Sequence, residues 1–220
     1  MWHLGFVREL KIFLNNSNLW LLSFLFYLMI VLSAPMALTY SSITLNDFAP
    51  TIMWLTFILA NIQLTANIFV NDHKNGWYQQ IFVHHKSPKM YFFYKMLATT
   101  LVFIVPISFI TPVLALTYNL AWQEILVIYV GIWLAAPGLC FLNGIFAALA
   151  VASHHRGGLL NVLMLPLCLP IYILGVGSSQ LFAHGFKPYA ALSLLAAISL
   201  LAMLLAPYLI TLSIRNSFEY

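Results

Sequence analysis

The chain has 220 residues, of which 63% are hydrophobic and 6% charged. Soluble domains carry roughly 25% charged residues, so this composition excludes a water-solvated globule and makes lipid the solvent. The formal net charge of +4 marks cytoplasmic loops in a membrane chain, and no basic cluster is dense enough for a nucleic-acid surface.

The apolar runs are unbroken rather than alternating, which selects helices over a barrel. In residues 1–18, Trp2, Phe6, Leu10, Phe13 and Leu14 recur on one helical face, with Arg8, Glu9 and Lys11 off the stripe. This pattern predicts an amphipathic helix lying in the membrane interface, ended by the Asn- and Ser-rich run at 15–18. The next apolar run exceeds the roughly 7–15 residues of a signal-peptide core, so a retained span is expected. Spans of about 20 apolar residues are then predicted at 19–38, 50–70, 91–118, 125–152, 158–177 and 189–212.

The connecting segments alternate in charge. Those at 39–49, 119–124 and 178–188 hold one basic residue, Lys187. The other side, with both termini, holds Arg8, Lys11, Lys74, Lys86, Lys89, Lys95, Arg156 and Arg215. The positive-inside rule places both termini and segment 71–90 in the cytoplasm. Trp20, Trp54, Trp122 and the run Tyr91-Phe92-Phe93-Tyr94 fall near span ends and are expected in the aromatic belt. Pro166 and Pro170, four apart, predict a bent fifth span, and Ala136-Pro137-Gly138 is a candidate break in the fourth. Broken spans can line a transport path; kinks satisfied by neighbouring helices are the plainer alternative.

No Asp, Glu, Lys or Arg falls in the middle of a predicted span, where a coupling ion would need one. The mid-span polar groups are the amides Asn61, Gln63, Asn67 and Asn143. They form either interhelical hydrogen bonds or a polar seam along a substrate path. Cys140 and Cys168 lie in apolar runs without a CxxC partner and are expected as small packing residues, not as a disulfide or metal pair. His84-His85 and His154-His155 are adjacent pairs, which diverge by about 100° on a helix and chelate poorly. No Walker A pattern is present. No catalytic residue, metal site or bound cofactor is therefore expected, and energy for transport would have to arrive from a partner.

Segment 71–90 is where a partner could act. Gly76 permits a turn, and residues 77–82 predict a short helix closed by Ser87-Pro88. On it Trp77 and Ile81 share one face, and Tyr78 and Phe82 the next. The apolar face either fills a groove in a soluble protein or anchors a loop on the membrane surface. The candidate coupling residues are Asp72, Gly76, Trp77, Tyr78, Gln79, Gln80, Ile81 and Phe82.

Four stretches carry a family resemblance: Ala49-Pro50-Thr51-Ile52-Met53-Trp54; Phe69-Val70-Asn71-Asp72 with Gly76 and Gln80; Ala136-Pro137-Gly138-Leu139-Cys140-Phe141-Leu142; and Arg156-Gly157-Gly158-Leu159-Leu160 followed by Leu165-Pro166-Leu167-Cys168-Leu169-Pro170. Over almost its whole length the chain resembles the haem exporter permeases of bacterial cytochrome c maturation, CcmB, within the type-2 ABC exporter class. The block of Arg156, Gly157, Gly158, Pro166 and Pro170 is the most specific part. The chain departs from the family at Gln79, where an acid is common, and in having Asp72 as the sole acid before Gly76. His84-His85-Lys86 also replaces a more apolar run.

The resemblance implies an all-α integral membrane fold: an interfacial helix (1–18), a permease domain of six transmembrane helices (19–220), and a cytoplasmic coupling helix between the second and third. It implies a subunit of the bacterial inner membrane working with an ABC ATP-binding subunit that holds the ATP, a second copy of itself, and haem-handling membrane subunits. Haem would be the substrate of the complex, ligated by the associated subunits. A permease for another substrate, or a haem-handling assembly factor without its own path, are the alternatives. On the residues alone, a stand-alone transporter or channel and a membrane enzyme also stand.

Overall fold

Without water, a backbone must close its hydrogen bonds within helices or a barrel. The computed structural model describes residues 2–15, 17–38, 45–84, 87–152 and 157–218, and among these there are helices and no strand. In chain order they are α1 (Trp2–Asn15), α2 (Ser17–Leu38), α3 (Leu45–Thr65), α4 (Val70–Lys74), α5 (Trp77–His84), α6 (Pro88–Leu116), α7 (Trp122–Ala152), α8 (Gly157–Ala183) and α9 (Tyr189–Asn216). Six segments of the described chain are long and apolar enough to cross a membrane: Trp20–Ala37, Leu45–Lys74, Pro88–Leu116, Trp122–Ala152, Met164–Ala183 and Tyr189–Asn216. They match the six predicted spans.

The central helix is α7, which packs against α9, α8, α6 and α3, while α2 leans on α3 and α6 at the edge. Lipid tails are as apolar as leucine, so burial alone does not hold such helices together; close backbone approach and side-chain hydrogen bonds do. Trp54 of α3 shows the first device. It is fully buried between α7 and α8, where a Cβ at Gly131 would lie 2.8 Å, and at Gly175 2.5 Å, from its indole. Tyr27 and Tyr118 show the second. The Tyr27 hydroxyl lies 3.1 Å from Thr111 Oγ1, and Tyr118 donates to the Val31 carbonyl at 2.6 Å, tying α2 to α6 and to the turn after it.

Two apolar clusters fill the bundle. One surrounds Trp54, Phe57, Phe103 and Ile132. The other surrounds Phe69, Tyr78, Phe92, Met96 and Phe141, at the end that carries α4 and α5. Several expectations are corrected here. Trp54, Tyr91 and Phe92 are buried in the bundle rather than set in an aromatic belt, because glycines on α7 and α8 and the rings of α5 accommodate them. Trp122, 64% exposed at the start of α7, keeps a position suited to the belt. The fourth span is not broken at Pro137, since α7 runs unbroken from Trp122 to Ala152. Close to that proline, Ser199 of α9 donates to the Leu134 carbonyl at 2.6 Å. The second span, by contrast, does break early. After Thr65 residues 66–69 form a turn, and Gly76, with φ +69°, reverses the chain between α4 and α5. A side chain at that φ is strained, which is why glycine stands there.

The wedge makes a measurable claim. Gly175→Ala forces its methyl into the Trp54 indole and is expected to destabilise the chain by about 1–3 kcal/mol. Gly177→Ala, where a methyl meets nothing within 4 Å, should leave thermal unfolding in detergent near that of the wild type.

Candidate functional site

Helix α5, sequence WYQQIFVH, has two unlike faces. Tyr78 and Ile81 are buried, and Tyr78 packs on Phe92 with ring centroids 5.5 Å apart and on Phe69 at 6.2 Å. Trp77 and Phe82 are half-buried beside them, Phe82 lying between Phe92 and Phe218. Gln79, Gln80 and Val83 face outward, Val83 at 79% exposure. The aromatic face, expected either to fill a partner's groove or to anchor a loop on the membrane surface, is therefore largely used by the chain itself. The physical reason is the turn at Gly76, which folds α5 back onto the aromatic start of α6.

Beneath α5 lies a buried ionic network that local sequence periodicity missed. Glu9 of α1 and Lys95 of α6 are 1% and 3% exposed. Lys95 Nζ contacts Glu9 Oε2 at 3.3 Å and also the Asp72 carboxylate of α4. The other Glu9 oxygen accepts from Tyr91 at 2.6 Å and from Arg8 at 2.5 Å. Tyr91 accepts in turn from the Trp77 indole at 3.2 Å, and the Arg8 guanidinium stands 3.9 Å over the Trp77 ring. Tyr78 donates to Asp72 at 3.4 Å; burial pushes its phenol well above the usual range and the Asp72 charge adds to this, so it stays a donor.

Glu9 lies off the apolar stripe of the first helix and Lys95 counts among the basic residues of the side that carries both termini; in the structure α1 packs this polar edge on α6, and Lys95 sits two turns inside that helix. One signal was available. Tyr91 and Lys95 are i, i+4 on one helix, a phenol and an ammonium facing the same way in an otherwise apolar run, and such a pair asks for a carboxylate.

The four mid-span amides do not form one seam. Asn143 donates to Asn61 at 2.8 Å, Asn61 to the Cys140 sulfur at 2.9 Å, and the Cys168 thiol to Asn143 at 3.4 Å. This buried knot joins α3, α7 and α8. Gln63 and Asn67 are exposed instead. Asn67 lines a cavity of about 390 Å³ together with Arg8, Glu9, Asp72 and Lys95, next to the ionic network. Both cysteines are free and buried, as expected of packing residues. Pro166 and Pro170 are exposed on α8, a continuous helix that Gly157 and Gly158 open. Arg156, His85, His154 and His155 lie outside the described residues, and only the backbone of His84 is described. Among the described residues no group of three His, Cys, Asp or Glu converges as a metal site would need.

Comparison with known proteins gives this geometry its context. The profile of the family described as CcmB protein matches residues 1–217. The chain belongs to the CcmB family. Heme exporter protein B of Bradyrhizobium diazoefficiens is 32% identical over 213 residues, covering 96% of each chain. Proteins of the same name from Haemophilus influenzae (28% identical, 96% of each chain) and Pseudomonas aeruginosa (28% identical, 87% of this chain and 86% of its own) are similar over most of their length. For a CcmB-family chain, a multi-pass membrane protein, the polar devices are thus the Glu9–Lys95–Asp72 network at one end and the Asn61–Asn143 knot within the bundle.

Removing Lys95 strands the buried carboxylate of Glu9 and the half-buried one of Asp72. Lys95→Met is expected to cost about 3–5 kcal/mol and to lower thermal stability in detergent more than Glu9→Gln, which keeps an acceptor for Tyr91.

Proposed function

We propose that this chain is the permease subunit of an ATP-driven exporter that moves or delivers haem for cytochrome c maturation. The match over nearly the whole chain to proteins named heme exporter protein B carries this reading. The chain itself is not an enzyme: a separate ABC ATP-binding subunit holds and hydrolyses ATP, and haem is substrate, ligated by haem-handling membrane subunits. A second copy of the permease completes the complex. It resides in the bacterial inner membrane with both termini cytoplasmic, a placement supported by the basic bias of the segments on that side. Residues 1–18 lie in the interface as the first unit, and residues 19–220 form the permease domain.

Coupling runs through α4 and α5. The ATP-binding subunit grips the outward face of α5, made of Gln79, Gln80 and Val83, with the exposed edges of Trp77 and Phe82. Tyr78, Ile81 and Asp72 lie on the inner side and pass a displacement into α6 and α1. Gly76 permits the turn that presents the helix. Because Gln79 and Gln80 are neutral, the partner groove is matched by amide hydrogen bonds and apolar contact more than by basic residues. The polar knot of Asn61 and Asn143 holds α3 to α7 during the motion, and Gln63, exposed on α3, and Asn67, exposed in the turn after it, serve as candidate path residues. The family-like block of Arg156, Gly157, Gly158, Pro166 and Pro170 is kept as a candidate functional element, of which Gly157 and Gly158 begin α8.

The test separates the two faces of α5. Ile81→Ala removes a buried side chain and is expected to cost about 2–5 kcal/mol of stability. Val83→Asp should leave the melting temperature unchanged while abolishing co-purification of an ATP-binding subunit and its stimulated hydrolysis. If no ATP-hydrolysing protein accompanies the wild-type chain, or if haem delivery proceeds without one, the reading fails.

A further inference from the structure

Helix α5 is held near both of its ends. At its start, Trp77 lies under the Arg8 guanidinium of α1 and donates its indole N–H to Tyr91. Near its other end, Phe82 meets the half-buried ring of Phe218, just beyond α9, with centroids 6.0 Å apart and planes at 76°. Phe218 also stacks on His73 of α4, at 5.3 Å and 19°. One ring therefore touches both arms of the elbow at Gly76, α4 through His73 and α5 through Phe82.

What fixes Phe218 is α9. The Ser217 hydroxyl donates to the Ile214 carbonyl at 2.6 Å from a buried position, and the Phe218 N–H donates to the Arg215 carbonyl at 3.1 Å. Ser217 keeps near-helical angles, φ −68° and ψ −11°. Bonds to the third residue back tighten a helix end and continue it for part of a turn, so the ring is carried as an extension of α9. Ile210 and Ile214 of α9 belong to the same buried cluster as Tyr78 and Phe92. Helix α9 packs on the central helix α7, whereas neither α4 nor α5 lies along α9 as a helix. The ring contacts of Phe218 join the elbow to it, and edge-on and stacked rings at these distances are directional as well as attractive.

We propose that Phe218 is a positioning residue for the coupling helix: wedged between His73 and Phe82, it sets the opening of the Gly76 elbow and ties α5 to α9. A displacement of α5 then reaches α7 through α9, a route separate from the one through α6 and α1. That this link carries transport motion rests on the coupling proposed above; the placement of α5 by Phe218 does not.

Amide hydrogen exchange of the purified full chain in detergent reads the placement alone. Loss of two aromatic contacts in Phe218→Ala should speed exchange across residues 77–84 about tenfold, with α7 exchanging as in the wild type. Phe218→Tyr keeps the ring and should restore the protection. Unchanged exchange at 77–84 in Phe218→Ala overturns the proposal. So does equal acceleration in α7, which means general loosening, or a failure of Phe218→Tyr to restore protection. With an ATP-binding subunit present, Phe218→Ala should still co-purify it, because the outward face of α5 is untouched, but lose the stimulated hydrolysis, which Phe218→Tyr recovers. Stimulation that persists in Phe218→Ala overturns the link to transport. If no ATP-binding subunit accompanies the wild-type chain, the transport reading falls while the exchange result still decides the placement.

Discussion

One ammonium ties together the end of this bundle that carries α4 and α5. Lys95 stands between Glu9 of α1 and Asp72 of α4, buried, in a chain whose spans otherwise contain almost no charge. A lone cation there would be expelled or neutralised, because desolvating a charge costs far more than any single contact returns. Two carboxylates make it tenable, and they make it directional, since each comes from a different helix. Tyr91 and Arg8 then donate to the other oxygen of Glu9, and Trp77 donates to Tyr91 behind it. A network satisfied this fully has one geometry. It fixes how α1, α4 and α6 meet, and so where α5 can lie.

The rest of the bundle is held by different means. Deeper in, helices approach through glycines against Trp54, through hydroxyl bonds such as that of Tyr118 to Val31, and through the Asn61–Asn143 pair. Interhelical hydrogen bonds of this kind contribute about 0.6–2 kcal/mol each. These are modest, distributed contacts, suited to helices that shift against one another. The ionic network is confined to one end, where segment 70–84 joins the bundle.

The sequence made the architecture legible because hydropathy is a one-dimensional signal: span number, the glycine turn and the short helix after it all follow from composition along the chain. What it concealed depends on which helices meet. Glu9 looks solvated on a helical wheel because the wheel assumes one buried face, whereas α1 packs its polar edge on α6. Trp54 looks like a belt residue because it lies near a predicted span end; only the glycines at 131 and 175, far along the chain, reveal the slot it fills. Gln63 and Asn67 looked continuous with Asn61 because amides in one apolar run invite a common purpose. The turn at 66–69 and the partner amide at Asn143 separate them.

The inward turn of the aromatic face changes how a push on α5 can travel. Had Tyr78 and Ile81 been free, a partner would grip a helix tethered only by its two chain ends, and motion would dissipate in the flanking turns. With Tyr78 seated on Phe69 and Phe92 and bonded to Asp72, the helix is keyed into the bundle. Displacing it must either move α6 and α1 together or break a buried charge network. The second costs several kcal/mol, so rigid motion of the joined helices is the lower-energy response. On the coupling proposed above, the neutral outer face of Gln79, Gln80 and Val83 needs only to be held, because the inner face is already keyed to α6 and α1.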